Sequence, residues 1–256
     1  MVSREIREIL LGAGIENASQ EAEWIIKYQK RGVAEAVERR LSGEPLQYIL
    51  GEWEFYGCNF KVGEGVFIPR PETELLVDLA AEWGREHASA SALDLCAGSG
   101  CVAIAFAKAT GCERVVAVEK SPEAVEYLKQ NIRLNKVESR VSAVKEDVLK
   151  PRGDFRGFDC VLINAPYLSA SEMLTLQKEV TFEPREALYG GEDGLDFYRE
   201  FFGLWGERLR NAEFFACEVG DGQAARVCRL MRGAGLSPRL KKDRGGTDRI
   251  VYSIKE

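Results

Sequence analysis

The chain has 256 residues, 45% hydrophobic and 30% charged, and 35 Lys and Arg against 41 Asp and Glu leave a net charge of −6. That length supports one large domain or a medium domain with a small companion, large enough to bury a core without disulfide staples. No apolar run approaches the roughly 18 residues that span a bilayer, and the first residues mix acids and bases where a secretory signal would be apolar, so a cytoplasmic address is expected.

The first 44 residues place Ile6, Ile9 and Leu10, then Trp24, Ile25 and Tyr28, then Val33, Val37 and Leu41 at helical spacing, which predicts two or three short helices. Ser19, ahead of Glu21 and Glu23, reads as an N-cap with acids in the first turn. Helices this short bury little alone, so 1–44 is expected to form a small helical domain leaning on the rest. Between Gly43 and Pro71 the texture turns to Gly, Pro and aromatics, and Trp53, Phe55 and the residues around Gly57 and Asn59 predict a hairpin within a linker over 45–70.

From 71 to 256 the pattern alternates, with helices expected over 72–86, 101–109, 122–134, 195–209 and 223–231. Strands are expected over 92–95, 114–118, 140–144, 158–163, 213–217, 237–240 and 249–254. Repeated strand–helix units predict an α/β fold with a parallel sheet covered on both faces. Its binding crevice should lie beyond the carboxyl ends of the strands, where the strand order reverses.

Seven cysteines, an odd number without Cys-x-x-Cys spacing, and a single histidine argue against a disulfide framework, a metal site and histidine catalysis. His87 is expected to be exposed at a helix end. Eight basic residues between Arg226 and Arg249 against Asp243 and Asp248 give a local +6, which leaves −12 elsewhere. A solvated helix face followed by a charged loop explains this stretch; a docking surface for an RNA-bearing or acidic partner is the sharper reading.

The first strand of the α/β part runs into Asp94-Leu-Cys96-Ala97-Gly98-Ser99-Gly100, with a helix behind it. Gly98 and Gly100 allow a tight turn and the close approach of a ligand. Gly98 to Ala103 also satisfies the dinucleotide fingerprint, and Glu119 stands about 20 residues on, where a ribose-binding acid belongs. Spacing alone does not separate NAD from S-adenosylmethionine. Asp94 does help, because a carboxylate at the loop mouth repels a pyrophosphate and suits an ammonium or sulfonium; capping the loop backbone is its structural alternative. Glu119 ends a strand with an acid that a core strand would not choose, and it can accept both ribose hydroxyls. Ser121 and Pro122 then read as N-cap and first helical residue. Asp147 can accept from an adenine amino group beside an apolar wall at Val148, although an Asp in a polar turn is commonplace.

The strand over 158–163 delivers Asn164-Ala165-Pro166-Tyr167, an amide, a proline and an aromatic at a strand's carboxyl end. This describes a rigid site for a planar group bearing an amino nitrogen. The stretch resembles the Asn-Pro-Pro-Tyr signature of methyltransferases that modify planar amide or amino nitrogens. With Gly43-Glu-Pro-Leu-Gln-Tyr-Ile-Leu-Gly-Glu, Phe67-Ile-Pro-Arg-Pro-Glu-Thr-Glu and Phe182-Glu-Pro-Arg-Glu-Ala-Leu-Tyr-Gly-Gly-Glu-Asp-Gly-Leu, the chain resembles the HemK/PrmC family over roughly residues 41 to 254.

The resemblance implies a class I methyltransferase with a Rossmann-like seven-stranded sheet, a small helical substrate-recognition domain and S-adenosylmethionine as cofactor. It further implies a protein substrate, a peptide chain release factor, free or on the ribosome, methylated on glutamine N5 in its Gly-Gly-Gln motif during the cycle of translation termination. Neither DNA nor a membrane is an expected partner. Asn164, Ala165, Pro166 and Tyr167 are then the catalytic candidates, and Asp94, Cys96, Ala97, Gly98, Ser99, Gly100, Glu119, Asp147, Val148 and Asn164 the cofactor candidates. Ala165 replaces the first proline of the signature but keeps its carbonyl, and the helical part is shorter than is usual in the family. An N6-adenine nucleic-acid methyltransferase, a nicotinamide-dependent dehydrogenase and a non-catalytic S-adenosylmethionine binder are the competing readings.

Overall fold

The computed structural model describes residues 3–29, 32–87 and 90–255, so residues 1, 2, 30 and 31 of the helical segment predicted over 1–44 lie outside the described residues. Helices α1 (Ser3–Gly12), α2 (Ala18–Tyr28), α3 (Val33–Leu41) and α4 (Leu46–Leu50) come first. Ile6, Leu10, Ala22, Ile25, Val37, Leu46 and Ile49 bury one another in a core of their own. Asn17, rather than Ser19, is the N-cap of α2, and Ser19 lies in the first turn. α4 falls in a stretch expected to be irregular: Pro45 stands at its N-cap and the buried Leu46, Tyr48 and Ile49 hold it by packing. Buried Arg40 of α3 joins these helices to each other and to the second half of the chain, 2.6 Å from Glu21 of α2 and 2.6 Å from Glu179.

Strands β1 (Glu52–Phe55) and β2 (Cys58–Lys61) form the expected hairpin. Trp53 meets Trp24 of α2 edge to face, ring centroids 5.6 Å apart.

There follow α5 (Glu74–Glu86), β3 (Ser91–Leu95), α6 (Cys101–Thr110), β4 (Arg114–Glu119), α7 (Pro122–Leu134), β5 (Val141–Lys145) and β6 (Cys160–Ile163). Short helices α8 (Ala170–Met173) and α9 (Arg185–Leu188) precede α10 (Asp196–Asn211), β7 (Phe214–Glu218), α11 (Ala224–Gly233), β8 (Arg239–Lys242) and β9 (Asp248–Ile254). The seven-stranded sheet has the order β5-β4-β3-β6-β7-β9-β8. β3 to β7 are parallel, whereas β9 runs antiparallel to both neighbours. The expected parallel sheet is present in β3 to β7, and only the last pair of strands departs from it: β8 and β9 are joined by a turn closed by Asp243 and Thr247, too short for the crossover that parallel strands need.

Leu76, Phe106 and Leu128 pack on one face of the sheet, and Tyr198, Phe201, Trp205 and Val227 on the other. Central β6 and β7 are buried throughout, whereas every residue of the edge strand β8 is exposed. Arg239, Lys241 and Lys242 thus put charge on a sheet edge, which protects it from pairing with other chains. Within the basic stretch, Arg226 pairs with Asp193, Lys242 with Asp248 and Arg249 with Asp221.

His87 is the C-cap of α5 and is half-buried, not exposed, because its ring stacks on Trp83 with centroids 4.4 Å apart. Cys58, Cys112, Cys160, Cys217 and Cys228 are buried, and Cys96 and Cys101 are half-buried. No helix among the described residues is long and apolar enough to cross a membrane. The strand order reverses between β3 and β6, where Leu95 lies opposite Ile163, so the loops that leave these two strands start side by side.

Candidate active site

These two loops line a cleft of about 1090 Å³, with further walls from the ends of β4 and β5 and from segments 65–73 and 176–188. That is at the upper end of the size range of small-molecule sites.

The loop after β3 is built from backbone. Gly100 adopts φ +82°, and a Cβ there would stand 2.3 Å from Leu128 Cδ1, so only glycine lets α6 start this close to α7. Asp94 Oδ2 accepts from the Ala103 N–H at 3.0 Å. Glu119 Oε2 accepts from the Gly98 N–H at 2.9 Å and its Oε1 from the Ser121 N–H at 2.8 Å. The Gly100 N–H goes to the Ala97 carbonyl at 2.7 Å. Three of these four N–H groups are given to the carboxyl groups of Asp94 and Glu119 and the fourth to a carbonyl, so none of them is left for a dinucleotide pyrophosphate. The two acids make this loop a better setting for a cation than for a phosphate.

Asp94 is only 2% exposed, and burial, with the charge of Glu119, pushes its carboxyl up to about 8 against the opposing Ala103 hydrogen bond. A cation entering the cleft would restore its ionised form. Glu119 lines the cleft, and each of its oxygens, having accepted one hydrogen bond, can accept another. Ser121 Oγ accepts from the Ala124 N–H at 3.2 Å, as expected of an N-cap. Ala97 and Ser99 are buried, and the Ser99 carbonyl accepts from Asn131 Nδ2 at 2.9 Å. Asn131 also holds the N–H and the carbonyl of Lys61, tying the hairpin to the loop. Burial pushes the Cys101 thiol up to about 12 and raises that of Cys96, so neither is a ready nucleophile.

Asp147 Oδ1 accepts from the Leu149 N–H at 2.9 Å, the turn role weighed above, while the residue also borders the cleft. Buried Val148 supplies the apolar wall and is held by Trp205 Nε1, which donates to its carbonyl at 2.7 Å.

The loop after β6 is held by side chains instead. Half-buried Asn164 donates from Nδ2 to Thr73 Oγ1 at 3.0 Å, and its Oδ1 has no partner among the described residues. Tyr167 donates its hydroxyl to Glu218 Oε1 at 3.0 Å and accepts at its carbonyl from Gln223 Nε2 at 2.7 Å. Burial first, then the Glu218 charge, holds the Tyr167 hydroxyl protonated far above its usual range. Behind the loop, a Cβ on Gly190 would fall 2.7 Å from the Pro166 carbonyl oxygen, so the glycine permits the close packing that fixes Ala165-Pro166-Tyr167.

Buried Glu183 accepts from the Ile68 N–H at 2.9 Å and forms a close ion pair with Arg70, whose guanidinium lies over the Phe67 ring. Burial raises its carboxyl and Arg70 opposes that. Arg40 on Glu179 and Arg70 on Glu183 pin the segment that walls the cleft at Leu176, Val180 and Pro184.

Of the catalytic and cofactor candidates read from the sequence, all but Gly100 line one cleft, and Gly100 stands in the same loop between Ser99 and Cys101, which do. Thr73, Asn131, Glu218 and Gln223 were missed. Glu218 carried a readable signal, an acid at the carboxyl end of an apolar strand, the same signal that marks Glu119.

Comparison with known proteins places this geometry among methyltransferases. Residues 84–181 match the family model described as the TRM5/TYW2 methyltransferase domain. The release factor glutamine methyltransferase of Thermodesulfovibrio yellowstonii is 39% identical, over 90% of this chain and 84% of that protein. That of Geobacter sulfurreducens is 37% identical, over 96% of this chain and 92% of that protein. Among solved structures, the hMettl16 catalytic domain, determined with a MAT2A 3′UTR hairpin, aligns with TM-score 0.65 at 14% identity, covering 86% of this chain and 81% of that one. The ribosomal protein L11 methylase of Lactobacillus delbrueckii subsp. bulgaricus aligns with TM-score 0.52 at 17% identity, covering 77% and 86%. These last two likenesses establish the class I methyltransferase fold.

Proposed function

Because the chain belongs to the release factor glutamine methyltransferase family, we propose that it transfers a methyl group from S-adenosylmethionine to the side-chain amide nitrogen, N5, of the glutamine in a release factor's Gly-Gly-Gln motif. The observation that carries this reading is Asn164, fixed through Nδ2 by Thr73, with an unused Oδ1 beside a loop whose Gly98 and Ala103 N–H groups are held by the carboxyl groups of Glu119 and Asp94.

Asp94, Cys96, Ala97, Gly98, Ser99 and Gly100 would hold the amino-acid part of the cofactor, Glu119 its ribose, and Asp147 and Val148 its adenine, with Asn164 at the methyl end. When bound, S-adenosylmethionine supplies a methyl group on a sulfonium, an electrophile that needs no activation. A glutamine nitrogen is a poor nucleophile, because its lone pair is delocalised into the carbonyl. Asn164 Oδ1 and the Ala165 carbonyl would each accept one N–H of the substrate amide, aiming the out-of-plane face of the nitrogen and stabilising the positive charge that grows on it. Pro166 and Tyr167 form the flat walls. The methylated nitrogen is acidic enough to lose its proton to water, so no general base is needed. A substrate that lacks one of these N–H groups leaves an acceptor unpaired and is rejected. The helices of 1–44 would meet the release factor, free or on the ribosome, 45–70 would join them to the chemistry, and 71–256 would perform it.

Intact-mass analysis of a release factor incubated with enzyme and S-adenosylmethionine, followed by fragmentation, tests the reading. One added methyl on the Gly-Gly-Gln glutamine is expected. Methyl gained at another residue, or gained only by adenine in a parallel DNA or RNA sample, overturns it.

A further inference from the structure

Glu218, at the carboxyl end of β7, is 1% exposed and faces the catalytic loop from behind. Its Oε1 takes the Tyr167 hydroxyl at 3.0 Å, and its backbone carbonyl is held by Tyr198 in a short hydrogen bond. Its Oε2 has no hydrogen-bond partner among the described residues. Burial raises the Glu218 carboxyl, and the Thr73 and Tyr167 hydroxyls and the Arg249 charge oppose that by favouring the ionised form. Thr73 itself is 1% exposed, and its oxygen already accepts from Asn164 Nδ2 at 3.0 Å. Its proton has no acceptor in a regular hydrogen bond among the described residues, and Glu218 Oε2, at the end of β7 beside the strand β6 that leads into Asn164, has no donor.

An ionised carboxylate can only accept, a hydroxyl carries one proton, and an asparagine amide has one donating and one accepting end. We propose that Glu218 is a positioning residue: by taking the Thr73 proton, it turns that hydroxyl's lone pairs to Asn164, which must then face Thr73 with its NH2 group and the substrate with its carbonyl oxygen. Buried and without competing water, Glu218 therefore sets the direction of the hydrogen bonds from Thr73 through Asn164 to the substrate. The same carboxylate, by taking the Tyr167 hydroxyl, fixes the aromatic wall. With glutamine in its place, the side-chain NH2 can donate to Thr73, Thr73 can donate to Asn164 Oδ1, and the Asn164 amide can turn its NH2 to the cleft, where it opposes the substrate's N–H groups.

The inference rests on Asn164 Oδ1 being an acceptor for the substrate amide, and the experiment keeps the two apart. Methyl transfer to release factor and calorimetric binding of S-adenosylmethionine are measured for full-length Glu218→Gln, Thr73→Val, Thr73→Ser, Glu218→Gln/Thr73→Val and Asn164→Ala. Glu218→Gln and Thr73→Val should each lower kcat by about 30-fold or more, with cofactor Kd and release-factor KM changed by less than about threefold, as befits loss of one aligned group in the transition state. Thr73→Ser, which restores the hydroxyl, should recover most of the activity lost in Thr73→Val. The double variant should be no slower than the worse single one, because both changes break the same chain of hydrogen bonds.

Retained activity in Asn164→Ala overturns the underlying reading. Loss there with near-normal kcat in Glu218→Gln and Thr73→Val overturns this inference alone. So does a fall in cofactor affinity matching the fall in kcat, which marks a merely structural role. Should Glu218→Gln not fold, the Thr73→Val and Thr73→Ser pair decides: equal activity in the two overturns the proposal.

Discussion

The two loops that meet where the strand order reverses are held by opposite means. The loop after β3 is organised by main-chain N–H groups given to Asp94 and Glu119 within one strand–helix–strand unit. The loop after β6 is organised by side chains that arrive from elsewhere: Thr73 ahead of α5, and Glu218 and Gln223 after β7. The first arrangement is locally encoded and suits a fixed, invariant ligand. The second assembles only when the whole sheet forms, and under the proposed function it is the loop that would receive a substrate that comes and goes. Substitutions in the two loops should accordingly separate catalysis from cofactor binding.

The largest separation is expected from Asn164→Ala, which removes the unpaired acceptor. kcat should fall by about 100-fold to 1000-fold, the scale of losing one positioned group at a charge-bearing centre. Calorimetric affinity for S-adenosylmethionine should stay close to wild type; a matching loss of affinity would show that the two loops do not act separately. Gly100→Ala should do the reverse. A left-handed backbone for alanine costs roughly 1–2 kcal/mol, and overlap with Leu128 adds roughly 1–3 kcal/mol. Cofactor affinity and Tm should both drop, and residual turnover at saturating cofactor should fall less than in Asn164→Ala. Wild-type affinity in this variant would break the assignment of the loop to the cofactor.

Much of the loop after β3 was legible in the sequence because its partners lie within one repeat of strand and helix, and a period of two or of 3.6 reports such elements one at a time. The candidate tetrapeptide Asn164-Ala165-Pro166-Tyr167 was legible as well, but its supports were not. Tyr167 and Glu218 are 51 residues apart and meet only because β7 lies beside β6. No period in the chain encodes sheet order. The antiparallel β9 and the short α4 escaped for the same reason, since packing against neighbours, not local pattern, decides them.

A smaller, graded effect should come from pH. In the free protein the Asp94 carboxyl titrates near 8, above its unfolded value, because burial disfavours its charge. Its protonated form is the one the empty fold stabilises, so that contribution to stability is lost as pH rises through about 8. A cationic cofactor favours the ionised form instead. Affinity should therefore rise with pH up to about 8, by at most about tenfold per unit, and then level off. Asp94→Asn should bind more weakly and lose this rise, and the difference between the two curves removes any titration of the cofactor's own amine. Parallel curves would show that Asp94 does not face the cofactor's charge.

Ala165→Pro should give the smallest effect, and it tests the catalytic loop where that loop departs from the Asn-Pro-Pro-Tyr signature. Proline removes an N–H, and the Ala165 N–H has no acceptor among the described residues, so no hydrogen bond is lost. Ala165 is 3% exposed with Gly190 packed against the neighbouring Pro166 carbonyl, so the segment is already confined by contacts from behind. If the native backbone matches the proline ring, the gain comes from the unfolded chain, about 0.4–1 kcal/mol, which raises Tm by a few degrees. The carbonyl that would accept the substrate N–H is kept and its plane is stiffened, so kcat should rise slightly. A fall in both Tm and kcat would mean that the loop has repacked around alanine, with remote side chains now supplying the rigidity that the signature draws from its first proline.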